Sequence, residues 1–271
     1  MESGTETYSI PSAHTDFVKC LTVCRPDQPD ILRDKESTPM VTVFSGSADS
    51  TARAWDITTG RCLRKYEGHR RGVEDLVLSL DGKRLFSASS DGTIRVFDVE
   101  SGETLQVLEG HRTSVYALSL SFDGDDQELW SASADNTVSR WNLKTGKMDM
   151  ALKHPDWVKC FLGVGPYLLT GSRDELVRVW DLSTEKCVHK YEGHFDEVSS
   201  LFAFGKMVYS GSYDCTVRRW DLSEGRFNFY IYPPIINFLC SSNQKGRTRA
   251  QDSGTGALEK EQDGVECGRR S

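Results

Sequence analysis

Five times along its 271 residues the chain sets an Asp behind a short run of small residues and then, six positions on, a large aromatic. The Asp runs are Ser45-Gly46-Ser47-Ala48-Asp49, Ser87-Ala88-Ser89-Ser90-Asp91, Ser131-Ala132-Ser133-Ala134-Asp135, Thr170-Gly171-Ser172-Arg173-Asp174 and Ser210-Gly211-Ser212-Tyr213-Asp214. The aromatics are Trp55, Phe97, Trp141, Trp180 and Trp220, followed by Asp56, Asp98, Asn142, Asp181 and Asp221. Upstream of each unit stands a histidine, His14, His69, His111, His154 or His194, three of them after Gly68, Gly110 and Gly193. Successive aromatics lie 42, 44, 39 and 40 residues apart. A period of this length marks a supersecondary unit that cannot bury its apolar face alone and must stack on its neighbours.

Inside one period, Val73 to Leu78, Arg84 to Ala88, Thr93 to Phe97 and Thr104 to Leu108 are rich in β-branched and aromatic residues. Asp81-Gly82, Asp91-Gly92 and Ser101-Gly102 punctuate them as turns. Four short strands per period predict one antiparallel sheet per repeat. With its Gly-His opening and Trp-Asp close, the pattern resembles the WD40 repeat family over about residues 5 to 225. The resemblance implies an all-β WD40 propeller with about five recognisable four-stranded antiparallel blades, near 13–67, 68–109, 110–152, 153–192 and 193–232. Most members close seven blades. Five imply an incomplete ring, as in a truncated product with impaired closure, or blades from another chain, or closure by five alone. Residues 1–12 hold a candidate ring-closing strand at Thr5 to Ile10, and Arg226 to Tyr232 is a candidate outer strand for the fifth blade. Residues 233–271, polar from Ser241 onward, read as a disordered tail.

The resemblance also implies a hydrogen-bonded tetrad in each blade. The sets are His14, Ser45, Asp49 and Trp55; His69, Ser87, Asp91 and Phe97; and His111, Ser131, Asp135 and Trp141. Two more are His154, Thr170, Asp174 and Trp180, and His194, Ser210, Asp214 and Trp220. Ser, His and Asp together suggest a catalytic triad, but a triad occurs once, with an exposed nucleophile and an oxyanion hole. A set repeated five times is building material. Phe97 has no N–H, so the second tetrad lacks its last link and that blade is expected to be weaker.

In this family the loops after each His, and the residue before each turn Asp, line the narrow top face. Here they hold Thr15, Asp16, Phe17, Arg70, Arg71, Arg112, Thr113, Asp156, Trp157, Phe195, Asp196 and Glu197, with Ala48, Ser90, Ala134, Arg173 and Tyr213. Phe17, Arg70, Arg112, Trp157, Arg173, Phe195 and Tyr213 give the aromatic-plus-Arg mixture enriched at binding hot spots and are the candidate partner-binding residues. The expected function is a non-catalytic scaffold or adaptor for other proteins, acidic or phosphorylated peptides among them. A rival is the substrate-recognition subunit of a ubiquitin ligase. No F-box-like helix precedes the repeats, and Thr58, Ser183 and Ser223 replace the Arg of the Trp-Asp-x-Arg signature. Nothing here predicts an enzyme, a metal or a cofactor.

A net charge of −7 argues against non-specific nucleic-acid binding. The start, Met1-Glu2, lacks the basic and apolar regions of a signal peptide, and the apolar run from Phe227 to Cys240 is short and broken by Pro233 and Pro234. The expectation is a cytoplasmic or nuclear protein without a membrane partner. Cys62 and Cys187 fall at equivalent positions and are expected to be small buried side chains. Cys20 and Cys24, downstream of His14, read as reduced packing residues rather than metal ligands. Two insertions, Arg25 to Met40 and Asp123 to Glu128, read as solvated connectors. Ile231 to Cys240 is an unpacked, sticky segment, and open strand edges predict self-association.

Overall fold

The computed structural model describes residues 9–10, 12–24, 42–120 and 128–222, in which every regular element is a β-strand. Blade one contains β1 (Val18–Val23), β2 (Thr42–Ser47), β3 (Ala52–Asp56) and β4 (Cys62–Tyr66). Blade two contains β5 (Val73–Leu78), β6 (Arg84–Ser89), β7 (Ile94–Asp98) and β8 (Thr104–Leu108). Blade three contains β9 (Val115–Leu120), β10 (Glu128–Ser133), β11 (Thr137–Asn142) and β12 (Lys147–Lys153). Blade four contains β13 (Val158–Val164), β14 (Tyr167–Ser172), β15 (Val177–Asp181) and β16 (Lys186–Tyr191). Blade five contains β17 (Val198–Phe204), β18 (Met207–Ser212) and β19 (Val217–Asp221). Among the described residues each sheet is an antiparallel meander in chain order, four strands wide in blades one to four and three in blade five.

Turn chemistry sets these boundaries. In blades one to four the Asp or Asn after the large aromatic folds its carboxyl or amide oxygen back onto the next turn: Asp56 accepts from Thr58 N at 2.8 Å and Asp181 from Ser183 N at 2.8 Å. Four residues after it the backbone is left-handed, at Gly60 (φ 71°), Gly102 (φ 80°) and Gly146 (φ 68°). Blade four adopts the same conformation at Glu185 (φ 56°).

The blades stack through their first strands, β1 on β5, β5 on β9, β9 on β13 and β13 on β17. Cys20, Phe44 and Tyr66 of blade one, for example, interdigitate with Val73, Leu76, Leu85 and Phe97 of blade two. Close approach needs a missing side chain, since a Cβ on Gly46 would lie 2.7 Å from Val73 Cγ1 and one on Gly171 2.7 Å from Val198 Cγ1. A buried carboxylate adds a polar link between blades. Asp75 on β5 accepts hydrogen bonds from its neighbour Leu76 N at 2.9 Å and from Leu118 N of blade three at 2.8 Å. Burial pushes its pKa up to about 7, the two backbone donors pull against this, and Glu74 adds to the rise.

Among the described residues the stack runs from blade one to blade five and does not close into a ring. Thr5 to Tyr8 of the candidate closing strand, Arg25 to Met40, Asp123 to Gln127, Arg226 to Tyr232, Ile231 to Cys240 and the whole of 233–271 lie outside the described residues. One packing expectation is corrected. Cys62 is exposed and Cys187 only half-buried, because both sit on the outermost strand of their blade, where side chains meet solvent. Among the described residues the buried cysteines are Cys20 and Cys160, on the first strands of blades one and four.

Candidate interaction face

In blades one, three and five the four motif residues form one directional chain. Trp55 Nε1 donates to Ser45 Oγ at 2.7 Å, His14 Nε2 meets the same Oγ at 2.7 Å, and His14 Nδ1 meets Asp49 Oδ2 at 2.9 Å. Blade three repeats this with Trp141, Ser131, His111 and Asp135 at 2.7, 2.7 and 2.8 Å. Blade five repeats it with Trp220, Ser210, His194 and Asp214 at 2.7, 2.7 and 2.7 Å. The indole N–H can only donate, so the hydroxyl accepts it and donates onward to Nε2, which leaves the imidazole proton on Nδ1 facing the carboxylate. A neutral ring suits this, and burial holds the His14 and His69 pKa values below the ordinary range against the pull of Asp49 and Asp91.

Each of these Asp side chains is also held by the turn that follows it and by the loop after the His. Asp49 accepts from Thr51 Oγ1 at 2.7 Å, Thr51 N at 3.0 Å and Thr15 N at 3.1 Å. Burial alone would raise its pKa. The hydrogen bonds from Thr51, His14 and Thr15 outweigh burial and hold it well below the usual carboxylate range. In blade two His69 meets Asp91 at 3.0 Å and Ser87 at 2.7 Å, and Phe97 gives no donor. Phe97 instead packs its ring 5.5 Å from that of Tyr66 in blade one.

Blade four is wired differently. Trp180 Nε1 donates to Thr170 Oγ1 at 3.0 Å, and His154 Nε2 meets that oxygen at 2.8 Å. His154 Nδ1, however, turns to the Leu152 carbonyl at 3.2 Å, and Asp174 takes both guanidinium nitrogens of Arg178, at 2.9 and 2.5 Å. Two sequence changes explain the switch. Pro155 has no N–H to offer the carboxylate, and Leu176 stands where the other blades have Thr51, Thr93, Thr137 and Thr216. Burial, reinforced by the Arg178 charge, depresses the His154 pKa to about 4.

The motif serines are buried in all four blades that have them, and Thr170 likewise, so none meets solvent as a nucleophile would. Among the described residues no cluster of His, Cys, Asp or Glu is placed to hold a metal ion.

What these networks position is a face. In every blade the residue before the turn Asp donates its backbone N–H to a carbonyl of the loop after the His. The pairs are Ala48 to Phe17 at 2.9 Å, Ser90 to Gly72 at 3.0 Å, Ala134 to Ser114 at 2.9 Å, Arg173 to Trp157 at 2.8 Å and Tyr213 to Glu197 at 3.0 Å. The structure therefore brings the two sets of loop residues together in each blade, on a face that all five blades share. Phe17 and Phe195 are about four-fifths exposed, at 81% and 79%, and Trp157 and Tyr213 are also exposed. Arg70 and Arg112 are exposed on the corresponding loops of blades two and three.

Arg173 is not a free cation. Its guanidinium lies 4.6 Å from the Trp157 ring centroid and its Nε 3.8 Å from Glu197. Lys159 completes the cluster, 4.1 Å from the Tyr116 ring centroid, 5.4 Å from that of Trp157 and 3.4 Å from Glu197. Sequence reasoning missed Lys159 and Tyr116, which sit on first strands rather than in loops. Their signal was present: Val158-Lys159-Cys160 repeats Val18-Lys19-Cys20, and Lys19 also reaches an acid on the next blade, Glu74, at 2.6 Å. Blades one to three carry only Ala48, Ser90 and Ala134 at the position of Arg173 and Tyr213, so the large side chains before the turn Asp gather on blades four and five.

A stack of antiparallel meanders tied by such networks is the construction of a WD-repeat protein, and the comparison with known families agrees. The WD domain, G-beta repeat family matches residues 60–98, 102–142, 149–181 and 185–221, more than half of the chain, and the chain belongs to it. Each matched stretch from 60–98 onward begins with the outer strand of one blade and ends with the third strand of the next. An uncharacterised WD repeat-containing protein of Schizosaccharomyces pombe is 34% identical over 195 residues, 69% of this chain and 49% of that protein. Coatomer subunit beta'-1 of Arabidopsis thaliana is 40% identical over 82 residues, 28% of this chain and 9% of that protein. A nuclear distribution protein of Gibberella zeae is 28% identical over 182 residues, 58% of this chain and 40% of that protein. The chain thus spans half or less of the length of these relatives.

Proposed function

We propose that the chain is a non-catalytic scaffold that holds protein partners on the His-loop face, with the contact centred on blades four and five. The observation that carries this is the exposure of Phe195, Trp157 and Tyr213 next to a cation-bearing cluster on a rigid rim. Exposed aromatics with Arg are the composition of binding hot spots, and a propeller supplies them on loops fixed at both ends. Membership of the WD-repeat family, and relatives named as a coatomer subunit and a nuclear distribution protein, support protein partners. They also suit a cytoplasmic or nuclear setting. Among the described residues no helix is long and apolar enough to cross a membrane.

The partner we infer is a peptide or loop carrying acidic or phosphorylated residues. Arg70 and Arg112 would read its charge, while Trp157 and Tyr213 would pack its apolar side chain. Arg173 serves this site through Trp157, which it stacks on. Affinity capture from cell extract with wild type, Trp157→Ala and the double variant Arg70→Glu/Arg112→Glu tests the reading. Loss of the same partners in both variants supports it. Unchanged capture by both would sink it.

A further inference from the structure

The two ends of the stack expose opposite halves of a junction that the chain builds internally four times. At each internal junction the second blade presents the same four positions to the first. In blade two these are Val73, Leu76, Leu78 and Val99, and in blade three Val115, Leu118, Leu120 and Leu143, all buried. Blade one has no predecessor among the described residues, and its equivalents Val18, Leu21, Val23 and Ile57 are exposed, Leu21 at 62% against 2% for Leu76. The strand registers fix the equivalence: Leu21 pairs with Ser45 as Leu76 pairs with Ser87, and Val18 with Ser47 as Val73 with Ser89.

Blade five shows the other half. The side that blade four turns to blade five holds Leu162, Val164, Val177 and Val179. On blade five the corresponding residues are Phe202, Phe204, Val217 and Arg219, with Val217 76% exposed where Val177 is fully buried. So one end carries the apolar set that blades two and three bury, and the other carries the counterpart of the side that blade four turns to blade five. Apolar patches of this kind on a soluble protein mark interfaces.

We propose that a second copy of this chain docks end to end, its blade-five face covering the blade-one face of the first. The partner is fixed by complementarity: a copy of this chain carries both halves of a junction already formed between blades one and two, two and three, three and four, and four and five. Because the halves differ, the contact is heterologous and leaves one unfilled face at each end of a pair. It grows with concentration and steps along the stack axis, as a split washer does. It is independent of the His-loop face.

Sedimentation of the full chain over a concentration series tests this, with Leu21→Glu blocking one half and Phe204→Glu the other. Wild type is expected to associate. Each single variant should be monomeric, its apparent dissociation constant raised roughly 100-fold or more by a carboxylate in an apolar junction. An equimolar mixture of the two should recover a pair that grows no further, because each variant keeps the half the other lacks. Ile57→Glu and Val217→Glu repeat the test at second positions, with thermal melts confirming that the variants fold. A wild type that stays monomeric at high concentration, or a mixture that stays monomeric, overturns the proposal. So does association that survives both substitutions in one chain, since another occupant or a different surface is then responsible.

Discussion

Blades three and four both carry the His, hydroxyl, Asp and Trp set, with matching offsets from the hydroxyl residue to the Trp, yet the hydrogen bonds that join them differ. In blade three Asp135 collects His111, Thr137 and the Arg112 N–H, and the chain runs unbroken to Trp141. In blade four Pro155 and Leu176 withdraw two of those donors, and Arg178 occupies the carboxylate instead. His154 is left neutral and bound to a backbone carbonyl. A motif thus fixes which residues meet in space, while the donors around its one charge decide how they bond.

That contrast is breakable. The largest expected effect is at the carboxylates. Asp135→Ala leaves a histidine, a threonine and a backbone N–H without their acceptor and should cost about 3 kcal/mol in urea unfolding. Asp174→Ala strands the buried Arg178 guanidinium without its carboxylate and should cost at least as much, about 3–5 kcal/mol. A clearly smaller loss than for Asp135→Ala would mean that the Arg178 pair holds blade four less firmly than the His link holds blade three. Next comes pH. His154 is held neutral in the fold, so its share of stability is complete above the unfolded value near 6.5 and is lost as pH falls toward about 4. Asp75 runs the other way: its folded pKa is raised, so the fold binds a proton that the unfolded chain releases, and stability declines as pH rises from about 4 to about 7. Melting temperatures from pH 4 to 8 should show the decline disappear in Asp75→Asn and the acid loss shrink in His154→Gln.

A smaller effect separates blade three from blade two. Ser131→Ala removes the oxygen that both Trp141 and His111 use and should cost about 2 kcal/mol, while Ser87→Ala removes only the His69 contact and should cost about 1 kcal/mol. If Ser87→Ala is the costlier, blade two leans on its tetrad more than the lost Trp suggests. The smallest change sharpens the blade-four reading. Pro155→Arg with Leu176→Thr restores both donors to Asp174 and should shift stability by less than about 1 kcal/mol. The His154 Nδ1 proton, followed by NMR, should move from the Leu152 carbonyl toward the carboxylate in this double variant, as in blades one, two and five, where Arg53, Arg95 and Arg218 stand at the position of Arg178 and the His–Asp link forms.

Much of this was legible in the sequence. The runs read from blade two, Val73 to Leu78, Arg84 to Ala88, Thr93 to Phe97 and Thr104 to Leu108, fall on β5 to β8 within one residue at each end. Alternation and turn residues act locally, so a linear reading captures them. The loops after each His and the residues before each turn Asp were expected on one face from the resemblance to the WD40 family, and backbone hydrogen bonds join them there. The exchange of partners in blade four was not read, although Pro155 announces it, because matching residue types drew attention from the missing N–H. Asp75 was out of reach for another reason. Its second donor, Leu118 N, lies 43 residues away on a neighbouring blade, and no local pattern marks a carboxylate for that contact. Tyr116 and Lys159 likewise meet only because β9 and β13 lie side by side.

The offset between matched stretch and sheet has a mechanical consequence. Since the chain crosses from one blade to the next through each fourth strand, a protease that nicks the turn between Asp56 and Cys62 would sever the backbone inside a sheet, not between two. The pieces would stay clasped by the ladder from Ala52 to Tyr66. Cleaved material should migrate as one particle in native buffer and separate only when denaturant melts that seam.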